Sequence, residues 1–504
     1  MTPHDLVVDI TERFGPRAAT SASERHAADW FASQCDQYGL ATEMQEFDTV
    51  RTPGFGQAIL YITPLIPILA SRFVAEWPVA RWLLVLLLLV NIILLALQLQ
   101  GRGIMSAILP KGPSQNVVAR CNAANSGEKL RKIVFVSHLD TPLISPLNTE
   151  ATAPLFRRLT DWSFWYLLAA VPILAFLAFD FEWMEFTLGS TTIDMQLWLW
   201  VLLAVLSVVP AIMGLDALLL PLMRKQSPGA NDSASGIAVL LSLIDTIAKE
   251  KGGSFDPSGV SAHGTASVTS GEELRQAADL EQPGLSDWIE LDDMFDSRSS
   301  TSGATGTWEA LDEGASASDS AVADTPARTE VTQPIRSVAH ASAGSAMSRG
   351  LDGFSSTLEG KEVWFVATGA RHADASGMQA LLYEYGEELR DALIVNLDSV
   401  GFGNLHWLAR EGAPLTVSVS SRVMSLSKRA AREKDLRIQA FKGGAGVTDA
   451  TPALFHHHKA GTITRLMSNG FPEAYRTADD FADATDATVL DETVAFALEF
   501  LSQA

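Results

Sequence analysis

The stretch GANDSASGIAVLLSLIDTIAK (229–249) reads as a glycine-rich turn that runs straight into an amphipathic helix, and KIVFVSHLDTP (132–142) reads as an apolar strand that ends on His138 and Asp140. Together they set strand ends against helix starts, which is the arrangement of an open α/β sheet, where functional groups gather at the carboxyl ends of strands. Working outward, VWFVATGARH (363–372) is another strand and turn before a helix at 376–389, and ALIVNLDSVG (392–401) is a strand ending on Asp398. His138, Asp232, His372 and Asp398 thus all fall at strand ends or helix starts. Imidazole and carboxylate groups in such places suit zinc, which takes nitrogen and oxygen ligands at four-coordinate sites.

Between these pieces lie four apolar stretches, at 55–75, 79–99, 162–179 and 197–215. Each is close to the ~20 residues that cross ~30 Å of hydrocarbon at 1.5 Å per residue. Read as helices, they form two transmembrane hairpins, over 54–100 and 161–223. Trp165, Trp198 and Trp200 near their ends suit an interfacial aromatic belt, and Pro64, Pro67, Pro172 and Pro210 are tolerated in membrane helices. Arg51, Arg102, Lys111, Arg157, Arg158, Arg224 and Lys225 lie on the side of the polar segments, whereas the turn of the second hairpin carries Glu182, Glu185 and Asp194. By the positive-inside rule the chain is a multi-pass protein of the cell membrane with its polar segments in the cytoplasm. The N-terminal residues lack the pattern of a signal peptide, so the N-terminus is expected to stay inside. Each hairpin returns the chain to the side it left, so 1–53, 101–160, 224–251 and 359–504 are expected to assemble as one domain.

The segment 252–358 is dominated by Ser, Gly, Ala, Thr and Asp without a sustained period of 2 or 3.6, and a disordered acidic insertion is the expectation. It holds 17 acidic and 5 basic residues, so about half of the chain's net charge of −22 belongs to it. Within it, 286–313 sets Trp288, Ile289, Leu291, Met294, Phe295 and Trp308 among acids, a pattern for short helices that fold on a protein partner. The chain-wide excess of 59 acidic over 37 basic residues excludes nucleic acid as a partner, since phosphates would be repelled. Cys35 and Cys121 are too few for a disulfide framework, and a reducing compartment follows.

GPRAATSASERHAADWFASQCDQYGLATEMQEF (15–47), NVVAR (116–120), HLDTP (138–142), GANDSASG (229–236), TGARH (368–372), NLDSVG (396–401) and YRTADD (475–480), in that order, resemble the co-catalytic zinc aminopeptidases, family twenty-eight of the metallopeptidases. The resemblance covers nearly every polar piece. It implies a mixed eight-stranded sheet flanked by helices and two zinc ions that share a bridging aspartate. It further implies that His138 and Asp398 bind the first zinc, that Asp232 is the bridge, and that Asp140 orients His138 by accepting its other ring N–H.

The second zinc is where the sequence departs. The family pattern has two adjacent glutamates, a general base and a ligand, where this chain has Arg371 and His372, and a histidine where Tyr475 is followed by Arg476. His372 has a lone pair to offer; arginine has none. A fixed cation ~4 Å from a dication costs roughly 8 kcal/mol at an effective dielectric of 20, so one zinc is expected rather than two. Arg371 also cannot act as the base, a role typically worth 10²–10⁴-fold, and Asp374 and Asp449 are the substitutes within reach in the sequence. Arg371 and Arg476 together offer a place for an anionic ligand, a carboxylate or phosphate. His456, His457 and His458 point about 100° apart in a helix, so they are read as a helix-end cluster, and Asp479 and Asp480 as capping acids. Two functions stay open: a membrane-embedded zinc peptidase that releases N-terminal residues from peptides, and a catalytically inactive relative that uses the same domain as a binding or scaffolding module.

Overall fold

The computed structural model describes residues 1–74, 76–122, 130–149, 151–179, 185–188, 191–249, 358, 360–442 and 446–504, all within one compact unit. In chain order the strands are β1 (Ala41–Val50), β2 (Lys111–Asn122), β3 (Arg131–His138), β4 (Glu185–Leu188), β5 (Thr191–Asp194), β6 (Lys361–Thr368), β7 (Leu393–Leu397), β8 (Asn404–Leu408), β9 (Arg410–Glu411), β10 (Val417–Ser418), β11 (Gln439–Phe441) and β12 (Lys459–Leu466). The helices are α1 (Pro3–Phe14), α2 (Ala22–Gln37), α3 (Phe55–Ile62), α4 (Leu65–Ala70), α5 (Pro78–Leu99), α6 (Ala153–Ala178), α7 (Met195–Leu206), α8 (Val208–Met223), α9 (Ser235–Lys249), α10 (Ser376–Tyr385), α11 (Ser421–Glu433), α12 (Ala450–Phe455) and α13 (Ala487–Gln503).

Eight strands form one mixed sheet in the order β1-β2-β6-β3-β7-β12-β8-β11, as the sequence leads one to expect. The apolar runs of β3, β6 and β7 take the middle, where both faces are covered, and β3 pairs parallel with β6 and with β7. One face packs under α1, α2, α9, α11 and α13 around Phe31, Phe135, Leu240 and Phe500. The other packs under α10 and α12 around Val134, Trp364, Leu381 and Leu454. Because the three central strands run the same way, their carboxyl ends meet at one edge. His138 stands there opposite Thr368, and Asp398 follows the last residue of β7.

Among the described residues, three helices are long and apolar enough to cross a membrane: Pro78–Leu99, Ala153–Ala178 and the run Met195–Met223, of 22, 26 and 29 residues. The stretch 55–75, expected as a further span, is instead the short pair α3 and α4, broken at Thr63 and Pro64. Pro64 and Pro67 bring no backbone N–H to the ladder, and the apolar run Phe55–Ala70 falls short of the ~20 residues a crossing needs. α6 also starts earlier than the boundary at 161, with a proline in its first turn, so Arg157 and Arg158 lie on the helix itself. The bundle has its own core around Leu88, Leu95, Leu167 and Leu174, while Leu86, Ile93, Trp165, Leu202, Val205 and Leu215 face outward uncovered. The expected insertion 252–358, with its partner-binding segment 286–313, lies outside the described residues except for Leu358, which is buried in the main core.

Bundle and sheet meet close to the edge that carries His138. Gln379 Nε2 donates to the carbonyls of Gly101 and Asp374, so the exit of α5 rests on the segment just after His372. Gly101 is in the left-handed region at φ +72°, and a Cβ there would stand 2.9 Å from Val447 Cγ1. On the other side, Ser145 Oγ donates to Asp216 Oδ1 at 2.7 Å, which ties α8 to the chain that leaves β3.

Candidate metal centre

His138 closes β3 and is fully buried. Its Nδ1 lies 2.9 Å from the backbone carbonyl of Asp140 and 3.5 Å from that residue's carboxylate, so Asp140 orients the ring chiefly through its main chain. The Asp140 carboxylate is engaged elsewhere, as described below. Asp232 sits in a π-helical turn, Ala230–Ala234, that leads into α9. The turn approaches β3 so closely that only glycine fits at two of its contacts. A Cβ on Gly229 would stand 2.2 Å from Thr141 Cγ2, and one on Gly236 2.1 Å from Ser137 Oγ. The turn's N–H groups are held by Asp480, whose Oδ1 accepts from Asn231 at 2.7 Å and whose Oδ2 accepts from Asp232 at 3.2 Å. Buried Arg17 ties the two loops together: it donates to the carbonyls of Leu139 (3.0 Å) and Gly229 (3.2 Å) and to Ser233 Oγ (2.7 Å).

Across the edge, β6 is followed by Gly369, Ala370, Arg371 and His372, and each of these four N–H groups is accepted by a side chain. Asn116 Oδ1 takes Gly369 at 3.1 Å, Glu24 Oε1 takes Ala370 at 2.8 Å, and the two carboxylate oxygens of Asp140 take Arg371 at 2.9 Å and His372 at 2.8 Å. A loop so fully satisfied holds its side chains in fixed places.

The trio that converges is His138, Asp232 and His372, whose ligand atoms all lie within 4.8 Å of one another. His372 Nε2 is 2.9 Å and His138 Nε2 3.9 Å from Asp232 Oδ2. His138 Nε2 and Asp232 Oδ1 are buried with no hydrogen-bond partner among the described residues. Buried polar atoms are rarely left so, and two orphaned lone-pair donors beside a second imidazole are the donor set a transition-metal ion needs, so these residues fit zinc.

The electrostatics favour a metal ligand at Asp232 and His372 and oppose one at His138. Burial lowers the His372 pKa to about 4, which leaves the ring neutral. Burial would raise the Asp232 carboxyl, yet His372, His138 and Arg371 hold it well below the usual carboxylate range. Burial would lower His138, but the Asp140 carboxylate and the charges on Asp232 and Asp398 outweigh it and raise the pKa to about 9, so a metal ion at Nε2 would have to displace that nitrogen's proton.

Asp398, which the resemblance pairs with the first zinc, is not in the trio. Its Oδ2 accepts from Arg371 Nη2 at 2.7 Å, and both residues are buried. Arg371 Nη1 lies 3.1 Å from His372 Nδ1. Burial opposes the guanidinium's charge, but Asp398 and Asp232 hold its pKa above the ordinary arginine value. Arg476 stacks on its neighbour, its guanidinium carbon 5.1 Å from the Tyr475 ring centre. Asp449 is buried beneath Thr368, whose Oγ1 donates to its Oδ2 at 2.7 Å; its Oδ1 has no partner among the described residues, and burial raises its pKa to about 6. Asp374 is likewise raised to about 6 by burial. His456 and His457 are exposed at the end of α12, and His458 Nδ1 lies 3.2 Å from the Leu389 carbonyl, so this cluster stands apart from the trio. Asp479 is exposed and Asp480 caps the Asp232 turn.

Arg17 and Glu24 are the functional positions that sequence reasoning missed. Both lie in the quoted 15–47 segment, but their partners lie 90 to 346 residues away, and no local spacing marks them.

No protein-family model matches the chain, and no curated protein matches it. Among solved structures it is similar to the aminopeptidase from Aneurinibacillus sp. strain AM-1, at 12% identity and a TM-score of 0.44, with 100% of this chain and 93% of that chain covered. It is similar to the zinc aminopeptidase from Bacillus subtilis at 12% identity and a TM-score of 0.45, covering 100% and 94%. A glutaminyl cyclase from Bacteroides thetaiotaomicron is similar at 11% identity and a TM-score of 0.44, covering 100% and 97%.

Proposed function

We propose that this chain is a membrane-anchored zinc hydrolase of the aminopeptidase kind, with one metal centre and its catalytic domain on the cytoplasmic side. The observation that carries the reading is the convergence of His138, Asp232 and His372, two of which bring a buried atom with no hydrogen-bond partner among the described residues; three is the ligand number of a catalytic zinc site with an open position. When bound there, zinc lowers the pKa of a coordinated water and polarises a carbonyl. The chain's own residues supply the rest. Asp140 holds His138 and the Arg371–His372 backbone in one geometry. Asp449 is the carboxyl available to hold a proton, with its free Oδ1 and a pKa near the working range of a general base. The long apolar helices anchor the domain at the bilayer.

A second reading, an inactive peptidase relative that binds peptides or scaffolds partners, is supported by Arg371, because a guanidinium stands where the family pattern has its base. One experiment separates the two: full-length protein in detergent, assayed for zinc content and for hydrolysis of aminoacyl substrates, beside Asp232→Ala. Zinc with turnover, both lost in the variant, supports the hydrolase. Zinc without turnover on any such substrate leaves the binding module.

A further inference from the structure

Arg371 makes two contacts that a metal ion would otherwise compete for. Its Nη2 donates to Asp398 Oδ2 at 2.7 Å, and its Nη1 stands 3.1 Å from His372 Nδ1. A guanidinium only donates, and a neutral imidazole has one lone pair. With Nδ1 turned to the donor, the ring proton sits on Nε2, where it is given to Asp232 Oδ2 at 2.9 Å. Arg371 and Asp398 are 4% and 6% exposed, so solvent screens their pairing little. Arg371 Nε has no hydrogen-bond partner among the described residues, although it is buried. The four side-chain acceptors along Gly369–His372 hold the guanidinium in this place.

We propose that Arg371 is the resident cation of this centre: it occupies by its charge the role of a second metal ion, withdraws Asp398 from metal binding, and competes with zinc for His372. The proposal rests on the zinc-binding reading above and adds to it that zinc affinity and stoichiometry are limited by this chain's own side chain.

The test is a zinc titration of full-length, chelator-stripped protein in detergent, against a competing chromophoric chelator, for wild type, Arg371→Met, Arg371→Gln and Arg371→Met/Asp398→Asn. The wild type is expected to bind one ion. Either neutral substitution is expected to tighten zinc by about tenfold or more, or to admit a second ion, because the repulsion is relieved and Asp398 loses its charged partner. The double variant is expected to lose most of that gain. Unchanged or weaker binding in the folded single variants overturns the proposal; Arg371→Gln, which can still hydrogen-bond Asp398, guards against a Met variant that does not fold. A double variant as tight as the single overturns the role given to Asp398. Zinc bound by the variants but not by wild type keeps the proposal and sinks the zinc-hydrolase reading, whereas no zinc in any of them sinks both.

Discussion

At the end of β3 the chain presents an imidazole with a free nitrogen; at the end of β6, a few ångströms away, it presents a guanidinium. The supports are alike on both sides. The Asp232 turn has two N–H groups held by Asp480, and the Arg371 loop has four held by Asn116, Glu24 and Asp140. Each side also relies on a glycine where a helix presses on a strand end, Gly236 against Ser137 and Gly377 against Gly369. What differs is the cargo. His138 Nε2 and Asp232 Oδ1 have no hydrogen-bond partner among the described residues, whereas Asp398 is paired with Arg371. A scaffold of this quality on both sides shows that rigidity and metal chemistry are separate properties: the β6 side is held as firmly as the other and carries, beside His372, an internal positive charge.

The largest effect expected concerns proton transfer. Since Arg371 cannot take a proton, the hydrolase reading passes that task to Asp449, buried beneath Thr368. Asp449→Asn is expected to lower the hydrolysis rate by 10²–10⁴-fold, about 3–5 kcal/mol in the barrier, while zinc content stays at the wild-type level. Turnover that survives in the variant moves the task to another group, with Asp374 next in line.

The two glycines test whether the supports are as alike as they look. Gly236→Ala brings a Cβ to 2.1 Å from Ser137 Oγ and 2.7 Å from the Leu397 carbonyl, and Gly377→Ala brings one to 2.2 Å from the Gly369 carbonyl and 2.5 Å from Asn116 Oδ1. Each is expected to cost about 2–3 kcal/mol, the upper range for overpacking, because backbone rather than a flexible tip must move. Thermal unfolding in detergent reads this directly. A large loss at Gly236 with none at Gly377 means that the β6 loop gives way, and the parallel between the sides fails.

The central sheet was legible because β3 and β7 are short apolar runs that end in chemistry-bearing residues, and parallel neighbours bring such ends to one edge. The membrane helices were legible as hydrophobic lengths, but Pro64 and Pro67, which a membrane helix can tolerate singly, together withhold two N–H groups within one turn, and the stretch 55–75 forms two short helices. In the centre, His138, Asp232 and His372 were readable from position. The pairing of Asp398 with Arg371 was not, since a pattern that treats arginine only as a missing ligand does not ask which carboxylate it will neutralise. Glu24 escaped for a related reason, and Asp480 was legible as a capping acid but not for the turn it caps: both accept backbone N–H groups from distant segments, and a sequence shows no trace of that.

Those two carboxyls give the smallest and most symmetrical test. Burial raises Glu24 from its ordinary value of 4.5 to about 8, and raises Asp480 from 3.8 to about 7, with the charges of Asp140 and Asp232 respectively adding to the effect. In both, the folded pKa lies above the unfolded one, so the folded state holds the proton more tightly. The stability each contributes is complete below the unfolded value and is lost as pH rises through the folded value, about 8 for Glu24 and about 7 for Asp480. Glu24→Gln and Asp480→Asn remove the titration, so each is expected to flatten the fall of the unfolding temperature between pH 5 and pH 8. Each variant also gives up one oxygen acceptor for a backbone N–H, which costs about 1 kcal/mol and offsets part of the gain at the alkaline end. Equal flattening in the two variants sharpens the likeness of the two supports. A slope that stays at its wild-type value in both means that neither carboxyl is held protonated by its burial, and the rigid backing assigned to the two strand ends then rests on ionised acids instead.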